Sequence, residues 1–244
     1  MRQIRLYVDT PLADVTDVAL PADAAGHAVR VLRLGAGDAV TLFNGDGRNY
    51  AAMLTDVHGK QATARIQSSQ SADNEPPWPL TLAQCLARGD KMDLVVQKAT
   101  ELGASRIVPL VSERSEVRLD AQRAAKRVEH WRAIAIAACE QCGRARIPHI
   151  DVPQPLDSWL DGLADTAGLH LALLPDAVQR VRDLVMPAAG ATLVIGPEGG
   201  LGKQDINALL RAQFTGLSLG PRILRTETAG LATLSALLAC HGDG

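Results

Sequence analysis

From Leu80 to the C-terminus, short apolar runs alternate with segments of helical periodicity, and this alternation limits the possible folds more than any other feature. LTLAQCLA reads as a strand. KMDLVVQKATEL follows it, with Met92, Val95, Val96, Ala99 and Leu102 on one helical face, Asp90 placed to cap the helix and Gly103 to end it. RIVPLV is the next strand, and a long helix over residues 120–142 gathers Val128, Trp131, Ala135 and Ala138. RIPHIDV, a short helix around Trp159, LHLALL, a helix at VQRVRDLV and ATLVIG continue the series. A helix with Ile206, Leu209, Leu210 and Phe214, then GLSLG and a final helix, complete it. Strands that return through helices to one sheet predict an α/β domain with mostly parallel strands.

Residues before about 70 follow a different pattern. RQIRLYV, DAVTLFN, YAAMLTDV and QATARIQ read as strands, with Gly45-Asp46-Gly47 and His58-Gly59-Lys60 at turn positions and one helix, ADAAGHAVRVLRL, between them. Short strands with Gly-rich turns suggest a small barrel. The polar, then Pro-rich stretch SQSADNEPPWP, residues 69–79, reads as a linker, so two domains are expected, 1–74 and 75–244.

Charge and composition narrow the function. The net charge of −2 excludes a uniformly basic nucleic-acid binder, and the first 79 residues hold seven basic against nine acidic side chains. Any binding face there must be local, with Arg2, Arg5, Arg30, Arg33 and Arg48 as its candidates. MRQIRLYVDT lacks the apolar core of a signal peptide and no apolar run is long enough to span a bilayer, so a cytoplasmic protein without a membrane partner is expected. Cys139-Glu-Gln-Cys142 has metal-like spacing but lies in an Ala-rich helical run with no second cysteine pair, so packed thiols and no metal are expected.

Ligand sites in parallel sheets lie past the carboxyl ends of the strands. Two Gly-Pro loops occupy that position: IGPEGGLG after ATLVI, and LGPRILRTET after GLSL. The first is no nucleotide phosphate loop, because Gly202-Lys203 is followed by Gln204 and neither G-x-x-x-x-G-K-[ST] nor G-x-G-x-x-G occurs. A tight structural turn would also use these glycines. Glu198 is the exception, an acid among residues that otherwise serve backbone geometry. A cleft lined by main-chain groups from both loops could hold a ligand.

LVIGPEGGL together with LGPRILRTETA resembles the RsmE ribosomal RNA methyltransferases of the SPOUT superfamily, as do RGDKMDLVVQKATELG, IVPLVSERSEV, IAACEQCGR and HAVRVLRLGAGD. The resemblance covers essentially the whole chain. It implies a parallel-sheet domain with a C-terminal trefoil knot, preceded by a PUA-like RNA-binding β-barrel. It also implies a homodimer formed through the knotted domain. The reaction implied is methylation of N3 of a specific uridine in the 16S rRNA of the small ribosomal subunit, with S-adenosylmethionine as donor.

By the same resemblance the donor would lie on Leu174, Pro175, Gly196, Glu198, Gly199, Gly200, Leu201, Leu219, Gly220, Ile223, Leu224 and Thr226. Arg225 would contact the uridine anion, with Glu198 or Glu227 as proton acceptor or as its orienting partner. Equally, Glu227 could serve only the helix dipole, with Thr226 as cap.

Arg114, Arg144, Arg146 and Arg222 join Arg2, Arg5, Arg30 and Arg33 as RNA contacts; residues 118–146 hold seven basic against three acidic side chains, Arg118 among them. Gly202 stands where similar sequences often have Ser, which weakens a helix cap, and Gly230 inside the last helix costs about 1 kcal/mol unless close packing needs it. Two other readings are a different SPOUT activity such as transfer-RNA ribose methylation, and a ribosome-assembly factor with a degenerate donor site. The intact SERSEV and EQCGR blocks argue against the first, and the intact GPEGG and RILRTETA loops against the second.

Overall fold

The computed structural model describes residues 4–59, 61–117, 120–163 and 167–242. Its contacts divide into two units: residues Met1–Glu75 with Ile136–Ile147, and residues Pro76–Ala135 with Pro148–Gly244.

In the first unit, β1 (Arg5–Tyr7), β2 (Asp17–Ala19), β3 (Ala39–Phe43), β4 (Arg48–His58) and β5 (Gln61–Ser71) form one sheet in the order β1-β3-β4-β5-β2. Only β1 and β3 run parallel; the other pairs are antiparallel. Alternation along β4 puts Tyr50, Ala52 and Leu54 inside, where they meet Leu6, Val8, Val40 and Leu42. The expected helix after Pro21 is a short α1 (Ala22–Gly26) that continues as a π-helix over His27–Val31. β2 lacks the alternating run that marks the other strands, and its register with Thr63–Arg65 of β5 is what makes it a strand.

The IAACEQCGR stretch also belongs to this unit. Cys139, Ala145 and Phe43 form a small core with Tyr7 and Ile147. The Cys139 thiol is fully buried, and burial pushes it up to about 12, so it stays a neutral packed thiol.

In the second unit, β6 (Leu80–Cys85), β7 (Arg106–Val111), β8 (His149–Ile150), β9 (Gln154–Pro155), β10 (Leu169–Leu173), β11 (Gln179–Arg180), β12 (Ala191–Ile195) and β13 (Thr215–Ser218) make one sheet. The order is β11-β13-β10-β12-β6-β7-β8, with β9 also on β7, and every pairing is parallel. Helices α2 (Lys91–Glu101), α3 (Ala121–Cys142), α4 (Leu156–Asp161), α5 (Lys203–Arg211) and α6 (Thr226–His241) connect the strands. The division between the two units falls within α3.

Two local expectations need correction. VQRVRDLV is not an α-helix: Gln179 and Arg180 pair with Leu217 and Ser218 of β13, and only Val181–Asp183 turn, as a 3-10 helix. Strand pairing has overridden helical periodicity there. Leu210 lies 53% exposed, and Phe214, beyond the end of α5, fills the core with Leu209 and Trp159. The last helix starts at Thr226, and it packs chiefly on α2.

Gly230 has the close-packing reason the sequence left open. A Cβ there would lie 3.1 Å from Leu82, 3.3 Å from the Gln84 side-chain oxygen and 3.3 Å from Ile195, so α6 approaches the sheet closely. Gly190, at φ +77, is likewise fixed, because a side chain would run into the carbonyl of Pro79.

Candidate active site

The sheet order dictates where the loops meet. β13 lies beyond β10, yet α6 begins beside β12 and β6: the Thr226 hydroxyl donates to the carbonyl of Gly196 at 2.6 Å and accepts from Gln84 Nε2 at 2.9 Å. Residues 219–225 therefore cross the carboxyl ends of β10 and β12. The loops after β12 (196–202) and β13 (219–225) meet at the N-terminus of α6, while the loop after β10 (174–178) packs Leu174 and Ala177 against Gly216 of β13.

The lining has two characters. Leu174, Leu219 and Leu224 are half-buried, Leu201 is buried, and Ile223 is 89% exposed. Gly196, Gly199, Gly200 and Gly220 leave backbone uncovered between them, with Gly200 and Gly220 at positive φ. Pro175 is exposed beside Leu174. An apolar surface interrupted by bare peptide groups suits a flat aromatic base with a hydrogen-bonding edge.

Thr226 corrects an expectation. It is the first residue inside α6, buried, and its hydroxyl is committed to Gly196 and Gln84, so it is not the cap, and only its main-chain groups are left to meet a donor. The N-cap is Arg225, whose carbonyl accepts the N–H groups of Thr228 and Ala229 while its side chain stays exposed. Thr226→Val keeps the shape but leaves one buried acceptor and one buried donor unpaired. A loss of about 1–3 kcal/mol is expected. Chemical denaturation checks it, and an unchanged midpoint would mean that the hydroxyl does not pin the loop.

The 196–202 loop is held from several sides. Glu198 accepts from Arg88 N at 3.0 Å and from Lys91 Nζ at 3.0 Å. Arg114 Nη1 donates to Gly199 O at 3.0 Å. Buried Asp205 accepts Gly202 N at 2.8 Å and Glu113 N at 3.1 Å. Glu113 also accepts from Gln204 N at 3.3 Å, and its carboxylate occupies the space a side chain on Gly202 would need. The cap expected to be weak at Gly202 is thus supplied by a neighbouring loop.

Lys91, the first residue of α2, escaped the sequence reading. Its ammonium also lies 3.4 Å from Glu227 Oε2, so one cation serves both candidate carboxylates. Burial pushes the Glu198 carboxyl up, but the Arg88 N–H and the Lys91 ammonium outweigh it and hold Glu198 below the usual carboxylate value. The bond to Glu198 raises Lys91 in turn, helped by both carboxylate charges. Glu227 differs. Its side chain is 14% exposed, and no hydrogen bond among the described residues reaches its buried Oε2, since 3.4 Å is an ion-pair distance.

The arginines expected at RNA are placed unequally. Arg30, Arg33, Arg48, Arg114, Arg146 and Arg222 are exposed, although Arg48 also bonds Ser69 and Arg146 covers Gly47. Arg5 is buried: it donates to Asn49 at 2.8 Å and to Arg144 O at 2.9 Å, with its guanidinium 4.8 Å from the Phe43 ring centre. Arg144 is 3% exposed and grips the Glu75 carboxylate at 2.6 Å. Both hold the first unit together and present no guanidinium to a phosphate. Arg2 and Arg118 lie outside the described residues.

The class of protein follows from its families: an RNA methyltransferase domain family matches residues 74–238, and an RNA methyltransferase PUA domain family matches residues 20–67. Among curated proteins, ribosomal RNA small subunit methyltransferase E of Mycobacterium tuberculosis is 32% identical over 237 residues, covering 95% of this chain and 89% of its own length. The Bacillus subtilis protein of that name is 31% identical over 218 residues, covering 86% and 85%. Among solved structures, a Legionella pneumophila methyltransferase in complex with SAM superimposes with TM-score 0.93 at 38% identity over 100% of both chains. The Neisseria gonorrhoeae methyltransferase E bound to S-adenosyl methionine gives 0.91 at 36% over 99% of both. The chain belongs to the ribosomal RNA small subunit methyltransferase E family.

Proposed function

We propose that this protein transfers a methyl group from S-adenosylmethionine to N3 of a specific uridine in 16S rRNA. The observation that carries this reading is the meeting of the loops after β12 and β13 at the start of α6, where exposed Arg225 and half-buried Glu227 stand two residues apart. Leu174, Pro175, Gly196, Glu198, Gly199, Gly200, Leu201, Leu219, Gly220, Ile223 and Leu224 would hold the donor, mostly through main-chain groups. When bound, the donor supplies an electrophilic methyl on a sulfonium sulfur.

The remaining work falls to the protein. N3 of uridine carries a proton, so attack on the methyl requires a base and a cation for the charge that develops on the ring. Arg225 faces the nucleotide and stabilises that charge. Glu227, two residues from Arg225 at the start of α6, accepts the N3 proton as the carbon–nitrogen bond forms and the carbon–sulfur bond breaks. Glu198, already occupied by Arg88 and Lys91, is the weaker base of the two and holds the donor loop.

Exposed Arg30, Arg33, Arg114, Arg146 and Arg222 are the proposed phosphate contacts, each contributing about one unit to the salt slope of RNA binding. The crossing of residues 219–225 over β10 and β12 supports a trefoil knot at this end of the chain. A homodimer formed through the same domain is part of the proposal, as is a cytoplasmic location. Among the described residues no helix is long and apolar enough to cross a membrane. Titration calorimetry with S-adenosylmethionine tests the donor site: saturable binding is expected, and no binding overturns the enzyme reading.

A further inference from the structure

We propose that Lys91 is a positioning residue for methyl transfer: its ammonium, shared between Glu198 and Glu227, sets the carboxylate of Glu227 for proton acceptance while tying the loop after β12 to the start of α6. This rests on the methyl-transfer reading above and adds a role that neither carboxylate can fill.

The geometry requires a shared ion. Nζ is 3.0 Å from Glu198 Oε1 and 3.4 Å from Glu227 Oε2, and these residues come from three separate elements: α2, the 196–202 loop and α6. The two carboxylate side chains are 31% and 14% exposed, so solvent screens Glu227 less than Glu198. Without the ammonium, two carboxylates would face each other across a partly desolvated space, where like charges disfavour ionisation of the less satisfied one. Glu227 is that one, because Glu198 also accepts the Arg88 N–H.

The charged groups around Glu227 are few. Lys91 approaches from α2, Glu198 from the 196–202 loop, and Arg225 precedes it by two residues. The Arg88 side chain is paired with Glu116. Lys91 is itself held charged, first of all by its bond to Glu198.

Opposite charge changes should therefore move the same titration in opposite directions. The measurement is single-turnover formation of 3-methyluridine against pH, at saturating donor and RNA, with donor affinity measured in parallel. Lys91→Met should shift the acidic limb up by about one pH unit or more, and Glu198→Gln should shift it down. Lys91→Arg should restore a limb close to that of the unaltered protein. A purely structural role for Lys91 would lower the rate at every pH and leave the limb in place. An unmoved limb in Lys91→Met overturns the proposal. If Lys91→Met does not fold, Lys91→Gln takes its place, with the same upward shift expected and an unmoved limb again overturning the proposal. Failure of the underlying reading looks different: the unaltered protein would then make no 3-methyluridine at any pH.

Discussion

Arg225→Ala is expected to bind S-adenosylmethionine with nearly unchanged affinity and to lose methyl transfer by roughly 100- to 1,000-fold, the usual cost of removing one group that stabilises developing charge. The fold should survive. Arg225 serves α6 through its main-chain carbonyl, which accepts the N–H groups of Thr228 and Ala229, and alanine keeps that carbonyl. The exposed side chain is free to meet a nucleotide. Calorimetry for the donor and single-turnover kinetics for the transfer separate the two effects. Near-normal turnover would remove Arg225 from the chemistry. Parallel losses in donor affinity and turnover would make it part of the donor pocket instead.

Arg144→Ala should produce the largest loss of stability, about 3 kcal/mol, because it strips a nearly inaccessible guanidinium from a carboxylate and leaves Glu75 partly buried without its cation. This estimate sits at the low end for a broken buried pair, since the Glu75 side chain remains 23% exposed. Three hydrogen bonds to Glu75 disappear together. Lysine should not rescue the site, because a single ammonium cannot reproduce the forked contact. Denaturant unfolding reads the loss. Glu75→Gln provides the reciprocal test: it should destabilise the fold while leaving the salt slope of RNA binding unchanged. A stable Arg144→Ala protein whose salt slope falls by about one would make Arg144 a phosphate contact after all.

That pair also illustrates which features sequence can carry. EQCGR has the local look of a basic surface segment, and only Glu75, 69 residues earlier, makes Arg144 an interior residue. Lys91 went unread for the same reason: its partners lie 107 residues away at Glu198 and farther still at Glu227, and a lysine opening a helix has no local mark of importance. The parallel sheet was legible, since β6, β7 and β12 are apolar runs that each lead into a helical period. The positions of the two Gly-Pro loops at strand ends were legible with it.

Errors arose where a tertiary partner outweighed a local preference. VQRVRDLV has helical periodicity but lies at the edge of β13, whose backbone takes Gln179 and Arg180 into the sheet. Thr226 has the composition of a cap, yet its hydroxyl turns inward to Gly196 and Gln84, and the chain caps α6 with a main-chain carbonyl instead. Gly202 looked like a weak helix start, and the missing side chain proved to be the space that Glu113 fills.

The most direct test of the central claim is to incubate the purified protein with small-subunit ribosomal RNA, both naked and in assembled particles, and S-adenosylmethionine carrying a labelled methyl group. Digestion to nucleosides should place the label in 3-methyluridine at a single position of 16S rRNA. Label found in a ribose or in another base, or no label in either substrate, would contradict N3 methylation.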